Sequence, residues 1–230
     1  MKIGLLLPTF RDDAHEVLAI AHEASAAGVD GVFCYDHLWP MGSPTRPALA
    51  PFPLLAALAK REPRLVLGPL VARVGLGGPE RLRQEFATLQ ALAPGRVVAA
   101  LGTGDRLSRE ENEAYGIAYG SPEQRRGELR DLVGALRGEV EVWVGAGAPA
   151  TNEIARAFDV TLNLWNASVE RVREESRHSR VTWAGDLSGD VGEQLDALAE
   201  AGAAWAVAST NVAREALYEW QRHRGVSSVI

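Results

Sequence analysis

The sequence predicts an α/β protein, a compact (β/α)8 TIM barrel filling residues 1–230 as one domain. Three observations carry that expectation. Short apolar runs without alternation recur along the chain, as in strands covered on both faces. Segments with helical spacing separate the runs, and the repeat averages about 29 residues, near the minimum for a βα unit. The two long connections follow the second and fourth runs, at the end of a barrel where sites are built.

Taken in order, the strand runs are Lys2–Leu7, Gly31–Tyr35, Arg64–Val71, Arg96–Leu101, Val140–Val144, Val160–Leu164, Val181–Ala184 and Trp205–Ala208. A helix over Ala14–Ala27 ends at Gly28, a natural residue for a helix C-terminus. In Pro79–Ala93 the residues Leu82, Phe86, Leu89 and Leu92 form one apolar stripe. Ser121-Pro122-Glu123 opens another helix with a cap, a proline and an acidic first turn. The competing architecture, a doubly wound open sheet, needs a glycine-rich turn after its first strand, where this chain has Pro8-Thr9-Phe10.

Composition narrows the function. Hydrophobic content of 47% and charged content of 23% are ordinary for a globular protein. A net charge of −6 argues against a general nucleic-acid or anionic-membrane binder. Cys34 is the single cysteine, so no internal disulfide can form and the cytoplasm is the expected compartment. The opening run Ile3–Leu7 is too short for a signal peptide or a membrane span.

The second strand runs directly into Asp36-His37-Leu38-Trp39-Pro40. His37 has the chemistry for proton transfer, or serves as a hydrogen-bonded strand end. Asp36 suits a loop tie, and Trp39 suits packing or one wall of a flat ligand site. Pro69, within Gly68-Pro69-Leu70-Val71, removes a ladder donor and predicts a bulge between Gly68 and Val71. Gly102-Thr103-Gly104-Asp105 and Gly145-Ala146-Gly147-Ala148 follow strands, and the second leads through Pro149-Ala150-Thr151 into a helix, Asn152–Phe158, as a phosphate-holding turn does. The charged run from Asp105 to Glu113 reads as a solvated lid or loop. His15 and His22 lack a third ligand, and no Walker sequence, nucleophile elbow or paired-cysteine cluster is present.

Together these stretches resemble the luciferase-like monooxygenase family, in particular its coenzyme F420 (deazaflavin)-dependent oxidoreductases. The resemblance rests on Lys2–Pro8, Gly28–Val32, Asp36–Trp39, Arg64–Gly68, Ala87–Leu92, Pro94–Val97, Leu101–Gly104, Glu113–Gly116, Val142–Gly147 and Leu164–Asn166. It implies a deazaflavin at the C-terminal face of the barrel exchanging a hydride with a small organic substrate, or alternatively FMN in a monooxygenase. It places a non-prolyl cis peptide in the third-strand bulge, backing the ring; the expected cis bond is Leu70–Val71, with the prolyl bond Gly68–Pro69 as the second choice. It assigns proton exchange to His37 with Asp105 assisting. Asp36, Trp39, Gly68–Val71, Gly102–Gly104 and Gly145–Ala148 then surround the cofactor. A homodimer is compatible with it, and a trimmed binding protein without turnover is the alternative outside catalysis. Relatives carry a long late insertion, whereas here Gly185-Asp186-Leu187-Ser188-Gly189 leads almost directly into the last helical segments.

Overall fold

The structure, a computed structural model, describes residues 1–40, 42–104 and 107–227. Its strands are β1 (Lys2–Leu6), β2 (Gly31–Cys34), β3 (Val66–Pro69), β4 (Ala72–Arg73), β5 (Val98–Gly102), β6 (Glu141–Ala146), β7 (Thr161–Trp165), β8 (Val181–Gly185) and β9 (Ala203–Ala208). The helices are α1 (Ala14–Ala26), α2 (Pro51–Arg61), α3 (Val74–Gly77), α4 (Pro79–Leu92), α5 (Ser108–Ala114), α6 (Pro122–Leu136), α7 (Pro149–Phe158), α8 (Val169–Ser176), α9 (Val191–Glu200) and α10 (Arg214–Ser227). All paired strands are parallel, in the order β3-β2-β1-β9-β8-β7-β6-β5-β4. The ring closes where Leu67 of β3 bridges Val97, just before β5. Since β3 and β4 are two pieces of one strand, the sheet is a (β/α)8 barrel.

The sequence predicts a third strand that reaches Val71 through a bulge. In the structure it stops at Pro69, turns through Leu70 and Val71, which are joined by a cis peptide bond, and resumes as β4. Pro69 lies opposite Cys34, and the Leu70 amide donates to the Cys34 carbonyl at 2.8 Å. Beyond that point, among the described residues, the strand pairs with β5 alone, through Ala72 and Arg73.

The period of two in each strand sorts side chains between two cores. Ile3 and Leu5 of β1 pack outward against the helices, together with Val32, Leu67, Ala99, Leu101, Val142 and Val144. Leu6, Phe33, Val98, Ala100, Trp143, Ala184, Trp205 and Val207 face the barrel interior. Phe33 stacks on Trp143 at 5.3 Å between ring centroids, and Trp205 meets both rings edge-on at 5.9 and 5.7 Å. This aromatic plug needs room. A Cβ at Gly4 would lie 2.9 Å from the Phe33 ring, and one at Gly31 would lie 3.1 Å from Trp205. Continued upward, the same register points Tyr35, Leu70, Gly102, Gly145, Asn163 and Trp165 into the space above the plug.

The helices follow their sequence signals. Leu82, Phe86 and Leu89 are the buried stripe of α4. The Ser121 hydroxyl accepts from the Gln124 amide at 3.2 Å while Gln124 accepts from the Ser121 amide at 2.8 Å, a reciprocal cap on α6. Among the described residues, no helix is long and apolar enough to cross a membrane.

Candidate active site

A cavity of about 620 Å³ opens above the plug, at the C-terminal ends of the strands. Its wall includes Tyr35 and His37 after β2, Leu70 and Val71 at the bend, and Gly102, Thr103 and Gly104 after β5. Gly145 through Ala148, Thr151, Asn163 and Trp165 continue it, with Arg73, Arg125 and Arg126 as its cations. The sequence-derived candidates His37, Leu70, Val71, Gly102–Gly104 and Gly145–Ala148 therefore meet at one place. Asp36, Trp39, Gly68 and Pro69 are not among the residues that line the cavity. Trp39 is buried against Tyr115, with ring centroids 5.3 Å apart. Asp105 lies outside the described residues.

His37 belongs to a buried network of charges. Its Nδ1 lies 3.0 Å from Glu111 Oε2, and the same oxygen lies 2.8 Å from Arg73 Nη1. The other oxygen of Glu111 accepts from the Leu38 amide. Arg73 donates from its backbone amide to Asp36 Oδ2 at 2.8 Å and from Nε to the Asp36 carbonyl at 2.9 Å. Burial pushes the Glu111 carboxyl up, but the bonds from His37 and Leu38 and the charge of Arg73 outweigh it and hold the group below its ordinary value. For Asp36 the balance falls the other way, and burial raises it despite the Arg73 amide and charge.

Glu111 and Arg73 escape the sequence reading. The run from Asp105 to Glu113 reads as solvated, whereas its described part contains α5, whose inner face buries Ser108, Glu111 and Asn112. That stripe has helical spacing but is polar, so hydrophobic periodicity does not show it. Asn112 secures the helix by donating to the Gly75 carbonyl at 2.6 Å. The signal that could have found Arg73 is its position just past the Pro69 bend.

Two features suit a flat, carbonyl-bearing cofactor with an anionic tail. Arg73 Nη2 is a buried donor without a hydrogen-bond partner among the described residues, and Arg73 lines the cavity beside the bend. On the β6 side the wall is backbone: a Cβ added at Gly147 would meet nothing within 4 Å. The turn leads into α7, whose Thr151 hydroxyl bonds the Ala148 carbonyl at 2.7 Å. Free amides at such a helix start favour an anion.

On the opposite side, Phe10 stacks on Tyr35 at 4.8 Å and 13°, and Trp165 stands edge-on to Tyr35 at 6.5 Å. Burial and the nearby Asp186 carboxylate push the Tyr35 phenol up to about 12, with Thr210 beside its hydroxyl, so it is neutral at ordinary pH.

A parallel barrel with a histidine on the cavity wall, a broken third strand and a backbone-lined turn defines a class of barrel with room for a flat ring at its C-terminal end. Comparison with known proteins gives the family. Residues 1–146 match the luciferase-like monooxygenase family, and the chain belongs to it. It is 31% identical over 148 residues to the F420-dependent glucose-6-phosphate dehydrogenase of Nakamurella multipartita, covering 64% of this chain and 42% of that protein. It is 32% identical over 164 residues to the enzyme of the same name from Beutenbergia cavernae, covering 70% of this chain and 47% of that protein. The matched region thus spans less than half the length of these curated relatives. A solved F420-dependent secondary alcohol dehydrogenase, in complex with an F420-acetone adduct, shares the fold with a TM-score of 0.78 at 14% identity. That match covers 96% of this chain and 97% of that one. The coenzyme F420-dependent tetrahydromethanopterin reductase of Methanopyrus kandleri shares it with a TM-score of 0.71 at 11% identity, covering 96% of each chain.

Proposed function

We propose that this chain is a coenzyme F420-dependent oxidoreductase acting on a small organic substrate, with His37 as the group that exchanges the substrate proton. The observation that carries the reading is the placement of His37. Its Nδ1 is taken by Glu111 at 3.0 Å while the ring borders the cavity, which leaves Nε2 for a ligand. With Nδ1–H donating to the Glu111 carboxylate, Nε2 carries the lone pair and can accept a hydroxyl proton; in the reverse direction the imidazolium returns it.

When bound, the deazaflavin supplies two-electron hydride chemistry. The chain supplies orientation, a proton site and shelter from water. Leu70 and Val71 would back the ring, Arg73 Nη2 would meet a ring carbonyl, and the Gly145–Ala148 turn would hold the phosphate. On the family resemblance, Asp105 would assist His37. The coenzyme F420-dependent relatives support this choice over FMN.

The test is a fluorescence titration of the purified chain with coenzyme F420 and with FMN. The expected result is a dissociation constant for the deazaflavin in the micromolar range or below, and weaker binding of FMN. Binding of FMN alone, or of neither, would overturn the proposal.

A further inference from the structure

Resting on that reading, we infer that the substrate end of the cavity is the wall formed by Tyr35 and Trp165, and that it takes an uncharged molecule with an apolar, ring-sized body and one hydroxyl or carbonyl group. A phosphate ester is the wrong ligand for this end.

The apolar part of the argument is the Trp165 surface. Trp165 ends β7 and keeps 45% of its surface exposed although it lines the cavity. The ring opposite it is not free to move aside, because Phe10 lies flat against Tyr35 from behind. Trp165 packs edge-on against this fixed ring, and its remaining exposed surface is removed from water when a hydrophobic body settles on it. Polar anchors are few and neutral. Asn163, two residues earlier on the same face of β7, already donates to the Thr182 hydroxyl at 2.9 Å. The Tyr35 hydroxyl is a neutral phenol, and His37 on the same wall supplies the proton site.

The charge at this end is negative. Asp186 follows β8 directly, and its amide donates to the Asn166 side chain at 2.8 Å, one residue beyond Trp165. Its carboxylate is held by the Ser209 hydroxyl at the end of β9, with the Asn211 amide 3.5 Å away. An anion on Trp165 would sit in the field of this carboxylate.

The cations that line the cavity have other partners. Arg73 serves Glu111 and Asp36, and its remaining donor, Nη2, is the one assigned above to the coenzyme ring. Arg125 stacks on Tyr119 at 4.0 Å and donates to the Gly120 carbonyl, and Arg126 pairs with Glu123 at 2.9 Å. Arg11 and Arg46, on the loops near Phe10, are held by Glu16 and by the Phe10 carbonyl. Electrostatic complementarity therefore selects against phosphate at this end.

The experiment uses the full chain, with and without coenzyme F420, and two probes: cyclohexanol and glucose 6-phosphate, each followed by calorimetry. Cyclohexanol is expected to bind at least tenfold more tightly than glucose 6-phosphate. Trp165→Ala is expected to weaken cyclohexanol about tenfold while leaving the coenzyme titration unchanged, and Trp165→Phe to restore most of the loss. Asp186→Asn is expected to narrow the gap between the two probes. Tighter binding of glucose 6-phosphate, no binding of cyclohexanol, or cyclohexanol binding indifferent to Trp165→Ala would overturn the inference. A chain that binds cyclohexanol on Trp165 but no coenzyme would overturn the proposed function and leave this inference standing.

Discussion

Glu111 Oε2 sits between two partners, His37 Nδ1 at 3.0 Å and Arg73 Nη1 at 2.8 Å, so one buried oxygen joins the imidazole to the strand that resumes after the bend. On the proposed function, Glu111 would act through His37 as a positioning residue. Glu111→Gln should lower turnover about 10- to 100-fold, the usual cost of losing the partner that orients an imidazole. Coenzyme affinity should change little.

The same variant makes a prediction about stability. The glutamine side chain is isosteric with glutamate but removes the carboxylate paired with the buried Arg73 guanidinium and leaves Asp36 as its nearby acid, a cost of about 3 kcal/mol, the low end for breaking a buried pair. Because the Glu111 carboxyl is held below its ordinary value of 4.5, its stabilisation is present above that pH and is lost as pH falls through the lowered value. Denaturant melts should show a constant gap between parent and variant above pH 5 that closes in stronger acid. A gap independent of pH would remove the ion pair from the account.

His37→Ala should lower turnover by about 10²- to 10⁴-fold with the fold intact. A parallel loss of melting temperature and coenzyme affinity, with the rate of the bound complex unchanged, would make the residue structural.

Two glycines should respond in opposite ways. A Cβ at Gly68 would lie 2.4 Å from the Val98 carbonyl oxygen, main chain that cannot step aside. Gly68→Ala should therefore destabilise the fold by about 1–3 kcal/mol. Gly147 has open space instead, so Gly147→Ala should leave the melting temperature unchanged and weaken coenzyme binding.

Alkaline pH should destabilise the chain from within β2 and its end. Burial raises the Cys34 thiol from 9.0 to about 12, and burial with Asp186 raises Tyr35 from 10.0 to about 12. Both groups are neutral when protonated, so the stability they represent is complete below the unfolded values and falls as pH rises toward 12. The Tyr35 share is about 3 kcal/mol. Urea melts of parent, Cys34→Ala and Tyr35→Phe between pH 8 and 11 test this: each variant should fall less steeply than the parent. A thiol reagent should leave native Cys34 unlabelled.

The barrel was legible because its strands are apolar on both faces and its helices carry regular stripes and caps. The Pro69 bend was legible for a different reason, since a residue without an amide donor cannot continue a ladder. The acid partner of His37 was not legible. Glu111 lies 74 residues away in sequence and sits in a run dense with charge, where nothing local separates a buried glutamate from solvated ones. Only the docking of α5 makes that distinction. Trp39 shows the converse: its place beside His37 in sequence drew it toward the site, yet the chain turns and packs it against Tyr115.

The seam beside the bend has a consequence for motion. Along most of the barrel, neighbouring strands are joined by main-chain rungs that no side-chain rotation can break. Between the end of β2 and β4 the rung is the Asp36 carboxylate, which receives the Arg73 amide. A side chain can rotate away where a carbonyl cannot, so this is a joint that can unlatch while the other ladders stay closed. In deuterium exchange the Arg73 amide should therefore be released by a local opening, well before the amides of β5 and β6, and Asp36→Ala should turn that slow joint into a fast one.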